Sequence, residues 1–310
     1  MIVAVLGAAG FIGSNLTRAL AGAGHFVRCF DQGGGCFPNF DTYQENISFF
    51  KGNFFSRLDL EKVLEGCDVC CHLISTSVPL TSNLNPSKDA QENIGGTLRM
   101  LDVARDVGVK KIIFPSSGGA IYGITHTPLV NESHETVPMS SYGIAKLAVE
   151  KYLALYQNLY GLDYASLRIA NPYGPFQRLE SRQGVIGVFF GCILRGEPIT
   201  VWGDGSVIRD YLFIDDLIQA FLAAVATNSE EKIFNIGSGR GYSINDLIES
   251  MRLVTQKSFS IKYAPGRNLE IPYSVLDITR AKKSLNWLPA VNLDQGLERT
   301  WHWILSAYQL

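Results

Sequence analysis

Over roughly the first 170 residues, short apolar runs alternate with stretches whose apolar residues recur every three or four positions. The runs over 2–6, 26–30, 48–51, 69–74, 111–115 and 164–169 predict strands, and the patterns over 12–21, 58–64, 90–107 and 144–160 predict helices. Gly108 and Gly161 stand where helix C-caps belong. Strands joined by crossover helices pair in parallel, so this half predicts a doubly wound parallel α/β sheet. After Asn171-Pro-Tyr-Gly-Pro175 the pattern loosens into Gly- and Pro-rich loops between shorter elements. Residues 215–226 read as a helix and 233–236 as a strand, and the stretch from about 210 to 236 is expected to return to the first sheet. Ser243, with Asp246 three residues on, reads as the capped start of another helix. The expected division is a parallel-sheet domain over 1–170 and a smaller, discontinuous α/β domain over 171–310. The second packs at the carboxyl edge of the sheet, where open α/β folds bind ligands.

Composition narrows the class. The 310 residues are 46% apolar and 18% charged, enough for a large core. Lys and Arg total 27 against 29 for Asp and Glu, so no basic excess points to nucleic acid. The apolar run over 185–194 falls well short of the ~20 residues of a spanning helix. Residues 1–6 carry no basic region and lead straight into glycines, unlike a signal peptide. A soluble cytoplasmic protein with no membrane or nucleic-acid partner is expected. Cysteines stand at 29, 36, 67, 70, 71 and 192, and Cys67-Asp-Val-Cys70 has a CxxC spacing. No second Cys pair exists and the histidines are scattered, so the reading is buried structural thiols and no metal.

The first strand ends in Gly7-Ala-Ala-Gly10-Phe-Ile-Gly13, and a helix begins at about Phe11. Glycines in such a turn permit positive φ and close approach of a pyrophosphate to a helix N-terminus, where free N–H groups favour negative charge. Asp31 closes the next strand, eighteen positions after Gly13. A carboxylate there accepts from a ribose 2′-OH and repels a 2′-phosphate, which favours NAD over NADP. The competing reading is a tight β–α turn with a surface Asp.

Ser141-Tyr142-Gly-Ile-Ala-Lys146 opens the fourth predicted helix, and residues i and i+4 share a face. A free phenol, with a pKa near ~10, is a poor base at neutrality. A nearby ammonium and an oxidised nicotinamide would favour its phenolate, able to take a proton from a sugar hydroxyl. Upstream, Phe114-Pro-Ser116-Ser117-Gly-Gly follows a strand, and either serine hydroxyl can face the same pocket or satisfy local backbone.

Together these motifs resemble the extended short-chain dehydrogenase/reductases, in particular their nucleotide-sugar branch of UDP-galactose and UDP-N-acetylglucosamine 4-epimerases. The resemblance spans nearly the whole chain and implies a Rossmann-like NAD-binding domain followed by a nucleotide-sugar-binding domain. Ser117, 25 residues before Tyr142, falls with Tyr142 and Lys146 on the catalytic Ser/Thr, Tyr and Lys, with Ser116 as a substitute for Ser117. The implied NAD contacts are Gly7, Gly10, Phe11, Ile12, Gly13, Asp31, Asn53, Phe54, Leu73, Asn93, Tyr142 and Lys146. Asn93-Ile-Gly-Gly-Thr97 resembles the family's Asn-x-x-Gly-Thr helix, and Asn53-Phe54 replaces its usual Asp-Ile or Asp-Val. The implied substrate contacts are Ser117, Asn171, Val185, Thr200, Arg209, Arg267, Glu270 and Ser274. Arg209 and Arg267 would grip a diphosphate, as guanidiniums do in pairs, and Glu270 would accept from the ribose. Ser274, seven after Arg267, would leave room in the sugar pocket for an acetamido group. His72 reads as core.

The resemblance implies reversible inversion at C4 of a UDP-hexose or UDP-N-acetylhexosamine through a 4-keto intermediate, with NAD resident. A nucleotide-sugar 4-ketoreductase is the alternative. A 4,6-dehydratase fits less well, because Ser117-Gly118-Gly119 supplies no acid for eliminating water. A non-catalytic NAD-dependent regulator is the reading from another class. Helices 90–107 and 144–160 are expected to pair across a homodimer.

Overall fold

In a computed structural model, the described residues are 1–33, 45–125, 127–180, 184–266 and 271–308. In chain order the first half contains β1 (Ile2–Leu6), α1 (Phe11–Gly22), β2 (Phe26–Asp31), β3 (Ile47–Lys51), α2 (Arg57–Leu64), β4 (Val69–His72), the short α3 (Pro79–Ser82) and α4 (Pro86–Asp89). A π-helical turn, Ala90–Gly95, leads into α5 (Gly96–Asp106), followed by β5 (Lys111–Ser117), α6 (Ser141–Tyr160) and β6 (Asp163–Ile169). The rest holds β7 (Asn171–Tyr173), α7 (Val185–Arg195), β8 (Ile199–Trp202), β9 (Ile208–Phe213), α8 (Ile214–Ala226) and β10 (Ile233–Ile236). It ends with β11 (Gly241–Ser243), α9 (Ile244–Thr255), β12 (Ile261–Ala264), β13 (Tyr273–Ser274), α10 (Thr279–Leu285) and α11 (Leu293–Ala307).

Seven strands form one parallel sheet in the order β10-β6-β5-β4-β1-β2-β3. Its order reverses at β1, whose neighbours are β2 and β4, and such a switch point opens a crevice at the carboxyl ends of the strands. Central strands buried on both faces read as continuous apolar runs: residues 3–6 of β1 and all of β4 are buried. Core clusters lie on both sides of the sheet, one around Leu16, Phe190, Phe221 and Trp301, the other around Leu60, Met100, Phe114 and Leu153.

The small sheet is built around β9, with β11 antiparallel and β7 and β13 parallel to it. β7 follows β6 after a single residue, so the small sheet starts at the carboxyl end of the large one. Asp210 fastens the two: its carboxylate accepts from the N–H groups of Ser238 (2.7 Å) and Gly239 (3.2 Å), just past β10, and of Leu276 (3.3 Å). Of the stretch 210–236, β10 lies in the large sheet, whereas residues 208–213 belong to the small one.

Element boundaries moved where tertiary contacts decide them. The strand read over 69–74 ends at His72, because Leu73 makes its last bond back to Leu6 O (2.9 Å). The helix read over 90–107 opens with the π-helical turn, and the one read over 144–160 starts three residues earlier, capped by Ser140 Oγ on Gly143 N (3.2 Å). Gly161 takes the left-handed C-cap of that helix. The apolar run over 185–194 becomes α7, which packs into the core.

Candidate active site

The glycine turn sits where β1 leaves the sheet. Gly7 has φ +91°, a conformation that favours glycine, and its N–H donates to Phe30 O (2.8 Å). A Cβ on Gly13 would lie 2.2 Å from Gly7 O and 2.8 Å from Ala8 Cα, so only glycine lets α1 seat on the turn. Gly10 is the helix N-cap, with no side-chain cap and no acid in the first turn, which leaves the helix start fit for an anion. Phe11 and Ile12 follow there, half-buried. The Asp31 carboxylate accepts from Ala9 N (3.1 Å) and Gln32 N (2.9 Å), which holds it over the same turn. This cradle and carboxylate suit the pyrophosphate and ribose of NAD.

Other residues read as cofactor contacts sit less openly. Phe54 is buried and stacked on His72, with ring centroids 5.2 Å apart, so its side chain belongs to the core. Asn53 Oδ1 is engaged by Phe55 N (2.9 Å) in a local turn. Asn93, inside the π-helical turn, accepts from Thr76 N (3.0 Å) and donates to Thr76 Oγ1 (3.0 Å), Ser77 Oγ (3.2 Å) and Asp89 Oδ1 (3.0 Å). It thereby fastens the loop after β4. His72 is core, as read: Nε2 meets Thr97 Oγ1 at 2.9 Å, and burial pushes its pKa down to about 3.

α6 delivers Tyr142 in its first turn and Lys146 one turn later. The Lys146 ammonium donates to Pro115 O on β5 (2.8 Å) and stands 5.6 Å from the centroid of the Tyr142 ring. Ser117 acts on the Tyr142 phenol from β5 and favours its ionised form, whereas Ser116 Oγ is buried without a partner. Strand alternation explains the choice: neighbouring residues of β5 point to opposite faces. A cavity opens beside the pair, lined by His72, Ile74, Ser75, Asn93, Tyr142 and Lys146 among others.

The electrostatics correct one expectation. Burial pushes the Tyr142 phenol up to about 12, helped by the charge of Asp89 and opposed by Ser117. Burial also brings Lys146 down to about 8, opposed by Glu150 and Asp89. Within the chain alone, desolvation outweighs any pull of Lys146 on the phenol. Asp89 and Ser141, which the motif reading passed over, join this site. Their signal was an Asp four residues before Asn93, on the same helical face.

In the small sheet, Ser274 of β13 pairs in register with Arg209 of β9, and Asn171 of β7 donates from Nδ2 to Asp210 O (2.9 Å). Asn171, Arg209 and Ser274, far apart in the chain, are thus neighbours. Val185 opens α7 and Thr200 lies on β8. Thr200 and Trp202 share a strand face, and the Trp202 indole is 43% exposed beside it. Arg267 and Glu270 lie outside the described residues. Cys29, Cys67, Cys70 and Cys71 are buried thiols whose pKa values burial raises. Among the described residues no His, Cys, Asp and Glu cluster is placed to hold a metal, and no helix is long and apolar enough to cross a membrane.

Known proteins match this arrangement along its length. The chain is 35% identical over 301 residues to a UDP-glucose 4-epimerase of Mycolicibacterium smegmatis, covering 96% of each. The structure of a UDP-glucose 4-epimerase with UDP-glucose from Thermotoga maritima superposes with a TM-score of 0.93 at 35% identity, covering 99% of this chain and all of that one. A UDP-N-acetylglucosamine 4-epimerase from Methanobrevibacter ruminantium M1, in complex with UDP-N-acetylmuramic acid, gives a TM-score of 0.91 at 30% identity over 98% of both chains. A family model covers residues 3–237, from β1 through the glycine turn and the Ser–Tyr–Lys cluster to the end of β10. With that match, the chain belongs to the NAD dependent epimerase/dehydratase family.

Proposed function

We propose that the protein inverts C4 of a UDP-hexose or UDP-N-acetylhexosamine through a 4-keto intermediate, with NAD resident. The observation that carries the reading is the Ser117–Tyr142–Lys146 cluster at the carboxyl end of β5, in the same crevice as a glycine turn and Asp31 fit for NAD. The large sheet holds the cofactor through Gly7, Gly10, Phe11, Ile12, Gly13, Asp31, Asn53, Phe54, Leu73 and Asn93. Bound NAD supplies a reversible hydride acceptor at C4 of the sugar. Tyr142 Oη takes the 4-OH proton and returns it to the same oxygen once the keto sugar has turned over, so that C4 regains its hydride on the opposite face. Ser117 orients that oxygen, and Lys146 brings positive charge beside the phenol and reaches the nicotinamide ribose. The phenol ionises against its burial only when further positive charge stands beside it, which ties proton removal to the oxidised cofactor.

The residues after 170 hold the nucleotide sugar. Arg209 and Arg267 take the diphosphate, Glu270 the ribose, and Asn171, Val185 and Thr200 line the nucleotide. The exposed face of Trp202 offers a planar surface to the base. Ser274 beside Arg209 leaves space for an N-acetyl group. Ile144, Tyr152, Leu155 and Leu159 form an exposed apolar stripe on α6, which supports a homodimer packed through that helix. Free buried cysteines suit the reducing cytoplasm.

The test is to incubate the purified protein, without added nicotinamide, with UDP-glucose, UDP-N-acetylglucosamine and their C4 epimers. Interconversion within a C4 pair supports the reading. No conversion, or conversion of 4-keto sugars only with stoichiometric reduced nicotinamide, overturns it and makes the protein something other than an epimerase, in the second case a reductase.

A further inference from the structure

The carboxylate of Asp89 ends α4, directly ahead of the π-helical turn, and is 4% exposed. One oxygen accepts from the Ser77 hydroxyl and from Asn93 Nδ2, the latter at 3.0 Å. The other accepts from Ser141 Oγ at 2.7 Å. Ser141 is the first residue of α6 and precedes Tyr142. One side chain therefore joins the loop after β4, the π-helical turn and the start of the helix that carries the Tyr–Lys pair.

All three donors are neutral, so the charge of Asp89 is not cancelled locally, and a buried charge in that condition acts over a long reach. Glu150 makes the contrast. It lies one turn beyond Lys146 but is salt-bridged to Arg168 at 2.7 Å, with both side chains buried. The groups facing Lys146 are Glu150 from its own helix, Asp89 from α4, neutral His72 from β4 and the Pro115 carbonyl from β5. Tyr142 follows Ser141, which donates to Asp89, and the charge of Asp89 raises the phenol's pKa while Ser117 on β5 lowers it.

We propose that Asp89 is a positioning residue for Tyr142 and Lys146: it pins the start of α6 to the loop after β4 and, beside Glu150, serves as a buried counter-charge of the pair. The proposal rests on the epimerase reading for what the pair does. A negative charge there favours the protonated form of both groups, so the pair gives up its first proton at a higher pH than it would with a neutral residue at position 89. Both effects share one sign, whichever group ionises first.

Asp89→Asn in the full chain, loaded with NAD, tests this. Near-ultraviolet tyrosinate absorbance is followed against pH, with Tyr142→Phe as the baseline that isolates the one phenol. The midpoint in Asp89→Asn is expected at least about 0.5 pH lower than in the parent protein. Both limbs of the pH profile of kcat should move the same way, with KM for the UDP-sugar within about twofold. Coincident midpoints and profiles, accompanied only by a lower Tm, would reduce Asp89 to a structural residue and overturn the proposal. Asp89→Ser removes the charge while leaving a hydroxyl for its neighbours, and must give the same acidward displacement if the amide variant does not fold. A displaced midpoint in a protein that epimerises no sugar would sink the epimerase reading and leave Asp89 its place. Epimerisation without displacement would do the reverse.

Discussion

The two halves of the crevice are built on different principles. On the large-sheet side, functional groups are held by partners within the chain before any ligand arrives. Lys146 is bonded to a strand carbonyl, Asp31 to the N–H of Ala9, and Asn93 to three side chains and a backbone amide. On the small-sheet side, Asn171, Arg209 and Ser274 come from three short strands gathered around β9, tied to the large sheet through the carboxylate of Asp210. The first arrangement suits chemistry, where a group must already be in place when charge develops. The second suits recognition, where strands and loops of the same frame can be exchanged to fit another sugar.

Substitutions on the two sides should therefore fail differently. Tyr142→Phe should lower kcat by ~10²–10⁴-fold, the range of a positioned acid–base group, with the fold and KM little changed. Steady-state epimerisation with a circular-dichroism check measures this, and near-parent turnover would remove Tyr142 from the chemistry. Arg209→Ala should act mainly on KM, raising it by roughly 10–100-fold, as for loss of a charged hydrogen bond of ~1.5–3 kcal/mol, while kcat holds. A fall in kcat with KM unmoved would place Arg209 on the chemical side of the comparison. Ser274→Tyr should be the mildest, depressing kcat/KM for UDP-N-acetylglucosamine about tenfold relative to UDP-glucose. Equal loss on both sugars would show that position 274 does not gauge the acetamido group.

The same contrast explains what could be read from the sequence. The large sheet was legible because each strand and helix carries its own period and each turn its own glycine: Gly7, Gly13 and Gly161 stand where local geometry demands them. Tyr142 and Lys146 are one helical turn apart, so their alliance is written in four residues. The choice of Ser117 over Ser116 needed the pleat direction of β5, and the burial of Phe54 needed its contact with His72. The high pKa of Tyr142 needed the depth of the site. Asp89 escaped notice because its value comes from Ser141, 52 residues away, and from the neutrality of its partners. The small sheet was harder still. Its strands are two to six residues long, and their pairing is set by tertiary contacts rather than by any pattern within them.

A crystal structure of the NAD-loaded protein with a UDP-sugar tests the central claim most directly. The account predicts Tyr142 Oη within hydrogen-bond reach of the sugar 4-oxygen, with C4 facing the nicotinamide and the diphosphate against Arg209. A sugar seated with Tyr142 far from C4, or a nicotinamide bound away from the Tyr142 ring, would contradict it.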